Sequence, residues 1–291
     1  MHLLHIKILV LFLLLFLVSC DGNSDDSSKQ LGLATDSTQL PVSSGIWYRP
    51  TPNVSWQWQL QGTLNTSYNV AIYDIDLFDT STDQILRLQN ASKKVICYFS
   101  AGSYESFRAD SNRFLETDLG SPLDGFADEK WLDIRSGNVK SIMLRRLDLA
   151  VTKGCDGVEP DNMDGYANDS GFPLTAEDQL TFNRFIANEA HRRGLAVGLK
   201  NDLDQIPELV EYFDFAVNEQ CFEFDECNEL SPFINSGKAV LNAEYLKLYV
   251  INTNSRNRLC SSAISQQLSS LILPIELDDS YRDSCNKYKT N

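Results

Sequence analysis

From residue 54 onward, short runs of β-branched and aromatic residues alternate with stretches whose apolar positions recur every three or four residues. The runs cover residues 54–60, 70–76, 94–100, 131–134, 157–161, 195–200, 213–219 and 239–244. Several are apolar without interruption, such as Val95-Ile96-Cys97-Tyr98-Phe99, as strands buried on both faces require. Between them, residues 82–89 carry Ile85, Leu86 and Leu88 on a helical face, and residues 139–153 carry Ile142, Met143, Leu147 and Val151. Thr175-Ala176-Glu177-Asp178 reads as a capping box opening a helix whose apolar face is Leu180, Phe182, Phe185 and Ile186, closed by Gly194. A shorter helix is expected over residues 204–212, with Pro207 in its first turn. Strand–helix alternation implies parallel pairing with crossover helices. Eight such units predict an α/β fold, the closed (β/α)8 TIM barrel. An open doubly wound sheet would want a Gly-rich phosphate loop after its first strand, and Gln59-Leu60-Gln61-Gly62 is not one. Residues 264–275 read as a last helix or strand covering the barrel bottom.

The amino terminus breaks this pattern. Residues 8–18 are unbroken apolar sequence after Lys7. They are too few to span a bilayer as a helix, which needs about 20, and read as the core of a signal peptide. The run ends in Leu17-Val18-Ser19-Cys20, which resembles the lipobox of bacterial lipoproteins. That resemblance implies a signal peptide over residues 1–19 and lipidation of Cys20. The expected product is exported and held by its lipid on the periplasmic or extracellular side of a membrane. The rival is an ordinary signal peptide with an incidental cysteine. Residues 20–45, rich in Ser, Asp, Gly, Thr and Gln, lack the apolar groups to offset ordering entropy and read as a flexible tether. The folded domain is expected over residues 46–291, as a monomer.

Six further cysteines, Cys97, Cys155, Cys221, Cys227, Cys260 and Cys285, allow up to three disulfides in an exported chain. The shortest local closures are Cys221 with Cys227 and Cys260 with Cys285. A zinc site would want close CxxC spacing and histidines. The chain has three histidines, and His2 and His5 fall in the export segment. Multi-histidine metal sites and most Ser-His-Asp chemistries are thereby nearly excluded. Forty acidic residues against 25 basic ones give a net charge of -15. That balance argues against a nucleic-acid partner and suits a cationic one.

In a (β/α)8 barrel the chemistry sits at the carboxyl ends of the strands. Read in order, those ends carry Asp74 and Asp76, Tyr98 and Ser100, Asp133, then Glu159, Asp161, Asn162 and Asp164. Lys200, Asn201 and Asp202 follow, then Asn218, Glu219 and Gln220, then Asn242, Glu244 and Tyr245. Buried charges are costly unless paired or used. A ring of carboxylates with one lysine and no usable histidine points to glycosidic-bond chemistry, which needs one protonated and one ionised carboxyl. A calcium-dependent hydrolase could use Asp156, Glu159, Asp161 and Asp164, but their spacing is not that of an EF-hand. No metal and no cofactor is expected.

Four segments carry a resemblance. They are VICYFSAG from Val95, GCDGVEPDNMDGY from Gly154, GLKND from Gly198 and VNEQC from Val217. Together, in this order, they resemble glycoside hydrolase family 114, endo-α-1,4-polygalactosaminidase-like enzymes on a (β/α)8 barrel. The resemblance runs from about Trp56 to Tyr245. It implies an endo-acting glycoside hydrolase of α-1,4-linked galactosamine-rich polysaccharide, a cationic amino-sugar polymer. By motif its catalytic pair falls on Asp161 and Glu219, without settling which is the acid. The neighbouring Asn162 favours an ionised Asp161 with Glu219 as general acid. Expected supporting roles are sugar-hydroxyl or ammonium binding by Asp74, Asp164 and Glu244, and stacking by Trp56, Tyr98 and Tyr245. Lys200 and Asn201 would position carboxylates or hydroxyls, and Lys200 reads equally as a buried partner of Asp161 or Glu159. Two alternatives stay open: a catalytically silent carbohydrate-binding lipoprotein, and a TIM-barrel glycosidase acting on another polysaccharide.

Overall fold

The computed structural model describes residues 39–288. The expected signal segment and Cys20 lie outside the described residues. Among those described, no helix is long and apolar enough to cross a membrane.

Eight parallel strands form the barrel wall. They are β1 (Trp56–Gln59), β2 (Ile72–Asp76), β3 (Lys94–Ser100), β7 (Gly157–Asp161), β8 (Ala196–Lys200), β9 (Phe215–Glu219), β10 (Ala239–Glu244) and β11 (Ser269–Ile272), neighbours in that order. The seam between last and first strand is drawn shut by Trp56 Nε1, which donates to the Ser269 carbonyl at 2.6 Å. A two-residue β12 (Asp283–Ser284) pairs antiparallel with β11 beside it, and Arg282 donates from there to the Trp56 carbonyl at 2.7 Å.

Two expectations about the barrel are corrected. The run at 131–134 supplies no barrel strand. Trp131 and Leu132 end β6 (Phe126–Leu132), which pairs antiparallel with β4 (Ser103–Glu105) and β5 (Leu119–Leu123) in a separate three-stranded sheet. The eighth barrel strand is instead β11, inside the stretch expected to cover the barrel bottom. Its Ser-Ser-Leu-Ile sequence hides it, because two serines stand buried where apolar residues were looked for.

Helices α1 (Thr82–Asn90), α2 (Gly137–Lys153), α3 (Ala176–Arg192), α4 (Ile206–Leu209), α5 (Ser231–Asn235), α6 (Lys247–Ile251) and α7 (Thr253–Ser265) follow the strands. The α3 cap is the reciprocal one expected: Thr175 Oγ1 accepts from the Asp178 N–H, and Asp178 accepts from the Thr175 N–H. Gly194 follows in the left-handed conformation, φ +75°. α4 is shorter than the stretch expected.

Strand alternation divides the core in two. Outward residues such as Tyr73, Ile75, Cys97 and Val158 pack under the helices, while inward ones such as Trp58, Ile72, Ile96, Phe215 and Leu241 fill the barrel. Three disulfides, Cys97–Cys155, Cys221–Cys227 and Cys260–Cys285, include both local pairs expected and fit an oxidising, extracellular setting. The start of the domain is also corrected. Residues 39–42, counted into the tether, are held on the barrel: Val42 N–H donates to Asn188 at 2.7 Å, Asn188 donates to the Leu40 carbonyl, and Tyr212 O–H donates to the Gln39 carbonyl.

Candidate active site

The carboxyl ends of the strands open into a cleft of about 1160 Å³. Barrel side chains make its floor. One wall is the three-stranded sheet with its loop, including Phe107, Phe126, Glu129 and Trp131, and residues 275–277 contribute at the rim.

The floor centres on one ammonium. Lys200 Nζ donates to Asp161 Oδ1 at 3.0 Å and lies 3.2 Å from Glu219 Oε2 and 3.5 Å from Glu159 Oε1. Burial pulls the Lys200 pKa down, but Asp161, Glu219 and Glu159 outweigh it and leave it well above its ordinary value. The lysine is a fixed cation, 4.9 Å over the Trp58 ring.

Asp161 ends β7 and accepts three hydrogen bonds: from Lys200, from the Asn162 N–H at 2.7 Å and from Tyr98 O–H at 2.9 Å. Glu219 ends β9 and accepts from Tyr245 O–H besides facing Lys200. Burial first, and then the neighbouring carboxylate, pushes both phenols well up, so they remain donors. Asn201 accepts the Glu219 N–H at 3.0 Å, which fixes that strand end.

The backbone repeats one device here. Asn162, Asn201 and Gln220, each directly after Asp161, Lys200 or Glu219, have φ of +58°, +47° and +63°. A left-handed residue turns the chain away at once and leaves the preceding side chain aimed into the cleft. Gly102 serves the same construction. The Ala101 and Gly102 N–H groups both donate to the Asp161 carbonyl, and a Cβ at 102 would collide with the Asn162 carbonyl.

The structure thus brings Asp161, Glu219, Lys200, Asn201, Tyr98, Tyr245 and Asp164 to the cleft. Burial, then the charge of Asp161, raises Asp164 to about 6. Three expected binders do not reach it. Glu244 stands on the outward face of β10, buried, accepting from the Phe222 N–H and Asn242; inward on that strand are Ala239, Leu241 and Ala243. Trp56 is buried at the barrel seam, and the inward tryptophan one strand period later, Trp58, lines the cleft. Asp74 points inward but lies fully buried beneath the floor. Asp133 pairs with Arg135 outside the cleft. Asp156, in the cluster weighed for calcium, sits before β7 at the opposite end and pairs with Lys94.

Sequence reasoning missed Glu129. It is half-buried on β6, accepts from Ser103 O–H at 2.6 Å, and is pushed up to about 7 by burial. Ser103 also accepts from Asn162, so this carboxyl is tied to the turn behind Asp161. The long linker marked the region, but its sheet is invisible in a sequence broken by Gly120, Pro122 and Gly125.

A TIM barrel whose strand ends present two carboxylates around a fixed ammonium, in an acidic cleft, has the architecture of a glycosidase. Residues 37–290 match the glycoside-hydrolase family GH114, and the chain belongs to that family. It is a glycoside hydrolase. Among solved structures it is similar to Ega3 of Aspergillus fumigatus, determined in complex with galactosamine, at 43% identity and a TM-score of 0.79, covering 83% of this chain and 99% of that one. It shares its fold with the glycoside hydrolase domain of PelA from Pseudomonas aeruginosa, at 14% identity and a TM-score of 0.63, covering 78% and 96%. A search of the curated proteins finds no significant match.

Proposed function

We propose that this glycoside hydrolase cleaves within a galactosamine-rich, α-1,4-linked polysaccharide, with Asp161 as nucleophile and Glu219 as acid and base. The charge of the cleft carries the substrate reading. Eleven acidic side chains line it against two basic ones, Arg108 and Lys200. Both cations are buried and already paired, Arg108 with Asp76 and Glu105 and Lys200 with the reacting carboxylates. What the cleft offers a ligand is therefore negative, which attracts a polymer of amino sugars and repels uronic or sulfated ones. Its volume exceeds the roughly 300–1,000 Å³ of pockets for single small ligands, consistent with several sugar rings. Glu129 and Asp164, less buried than the Arg108-paired Asp76 and Glu105, line the cleft and suit sugar ammonium groups. The galactosamine complex of Ega3 supports the same class.

The roles follow from the donors. Three hydrogen bonds to Asp161 suit an anion that attacks C1. As the Asp161–C1 bond forms, the glycosidic C–O bond breaks and Glu219 gives its proton to the leaving oxygen. Glu219 then takes a proton from water, whose oxygen displaces Asp161 from C1. Lys200 adjoins whichever carboxylate bears the charge, first Asp161 and then Glu219, so the site's net charge is constant through both steps. The two carboxylate oxygens each lie within 3.2 Å of Lys200 Nζ, so they are no farther apart than twice that. So close an approach of the nearest oxygens suits a retaining pair, at about 5–5.5 Å, better than an inverting one, at about 6.5–9.5 Å.

The lipobox-like Leu17-Val18-Ser19-Cys20 supports a lipid-anchored, exported protein. Radiolabelled palmitate that enters the protein but not its Cys20→Ala variant tests that anchor.

The deciding experiment uses residues 37–291 with partially deacetylated galactosamine oligomers, and chitosan and starch as controls, sizing products by mass spectrometry. Shortened galactosamine oligomers from the parent, absent with Asp161→Asn and Glu219→Gln, are expected. Preferred cleavage of a control polymer overturns the substrate, and undiminished cleavage by either variant overturns that residue's role.

A further inference from the structure

Beneath the reacting pair lies a second pair of carboxyls that the mechanism leaves unused. Asp74 and Glu159 are both fully buried. They stand on β2 and β7, alternate barrel strands with β3 between them, so their inward side chains fall in one layer. There the two carboxyls adjoin. Apart from the Ile75 N–H beside Asp74, no hydrogen-bond donor reaches their four oxygens among the described residues. Two buried carboxyls side by side with so few outside donors need a proton between them, since two bare carboxylates so placed repel strongly away from water. The groups facing them are Lys200, 3.5 Å from Glu159 on β8, Asp161 at the end of β7, and the phenols of Tyr98 and Tyr245 above. One ammonium, already shared by Asp161 and Glu219, cannot also balance two ionised carboxylates beneath them.

We propose that Asp74 and Glu159 share one proton and, through the single negative charge left on the pair, hold Lys200 in place between Asp161 and Glu219. They are positioning residues, since neither lines the cleft. The proton belongs to the pair rather than to either member. Burial raises Asp74 to about 7, and burial together with Asp74 raises Glu159 well above its ordinary value. The pair accordingly keeps one proton above neutral pH and takes a second as the pH falls through about 7.

Infrared difference spectroscopy on the whole folded domain tests the shared proton. Beside the band of Asp202, whose proton is only partly lost at that pH, the parent at pH 8.5 should show the carbonyl stretch of one further buried carboxylic acid that is missing from both D74N and E159Q. In each single variant an amide N–H replaces the proton and the remaining carboxyl is ionised. A parent without that band, or a band that survives in both variants, overturns the proposal. This arm needs no substrate and holds whatever polymer is cleaved. The kinetic arm rests on the reading of Asp161 and Glu219 as the reacting pair. Each single variant keeps one negative charge beneath Lys200, and its kcat should stay within about threefold of the parent. The double variant D74N/E159Q removes that charge, and its kcat should fall about tenfold or more with KM within about twofold. A double variant as active as the singles overturns the positioning role. A parent inactive on every galactosamine polymer refutes the substrate reading instead and leaves the infrared result standing.

Discussion

The floor and the wall of the cleft are both acidic, and they are built in opposite ways. On the floor every carboxylate at the reacting centre is locked by short contacts: Asp161 by three donors, Glu219 by Tyr245 and Lys200. On the wall, Asp124 and Asp128 stand exposed, and Glu129 is held by one serine hydroxyl. The floor comes from barrel strands whose geometry is fixed by parallel register, the wall from an antiparallel excursion between β3 and α2. Where a bond must be broken the protein invests in aim. Where a repetitive charged polymer must be held, it presents unpaired charge and exposed aromatic surface such as Phe126 and Phe107.

This contrast is broken most severely on the floor. Asp161→Asn should lower kcat on galactosamine oligomers on the order of 10⁴-fold, with the fold intact by circular dichroism. Proton NMR of the first product should show retention of the anomer, and inversion would overturn Asp161 as the nucleophile. Lys200→Met strands three buried or half-buried carboxylates. It should lower stability by about 3–5 kcal/mol, the cost of breaking a buried pair, read as a denaturant midpoint. On the wall the effect is smaller and appears in KM. Glu129→Gln should raise KM for the deacetylated oligomer about tenfold, the loss of one charge-assisted contact, with kcat nearly unchanged. A fall in kcat instead would move Glu129 into the reacting centre. Phe126→Ser should raise KM only a few-fold, about 0.5–1.5 kcal/mol of stacking.

A pH effect separates stability from both regions. Asp202 is raised to about 8, by burial and then by Asp164, and it accepts from Asn183 outside the cleft lining. The folded state therefore keeps a proton that the unfolded chain loses near pH 4. This contribution is full below that pH and is lost as the pH rises through about 8. The melting temperature should fall from pH 6 to pH 9, and less so in Asp202→Asn. An equal fall in both would trace it to other groups.

The same division explains what could be read from the sequence. The apolar runs around Tyr98, Asp161, Lys200 and Glu219 are strands buried on both faces, and their last residues necessarily reach the cleft. Position along the chain was enough to find them. Orientation was not: β10 is buried on both faces, so its burial alone does not say that Glu244 points outward while Ala243 points in. Trp56 and Trp58 share one inward face, and depth alone sends one to the seam and the other to the cleft. Strand-like Trp131-Leu132 and polar Ser269-Ser270 exchanged places because pairing partners, not local preference, decide which run enters a barrel. Glu129 depended on a bulged sheet whose register is irregular.

The left-handed residues behind Asp161, Lys200 and Glu219 constrain how this enzyme can diverge. Asparagine tolerates that backbone region well, while glutamine bears more of its steric cost. Drift at positions 162, 201 and 220 is thus confined to a small alphabet of asparagine, aspartate and glycine, with Gln220 the outlier most open to replacement. A β-branched residue at any of the three would rotate a reacting group away without touching the chemistry itself. Long after its cleft wall has been rebuilt for another polymer, a descendant would still carry this three-point backbone signature.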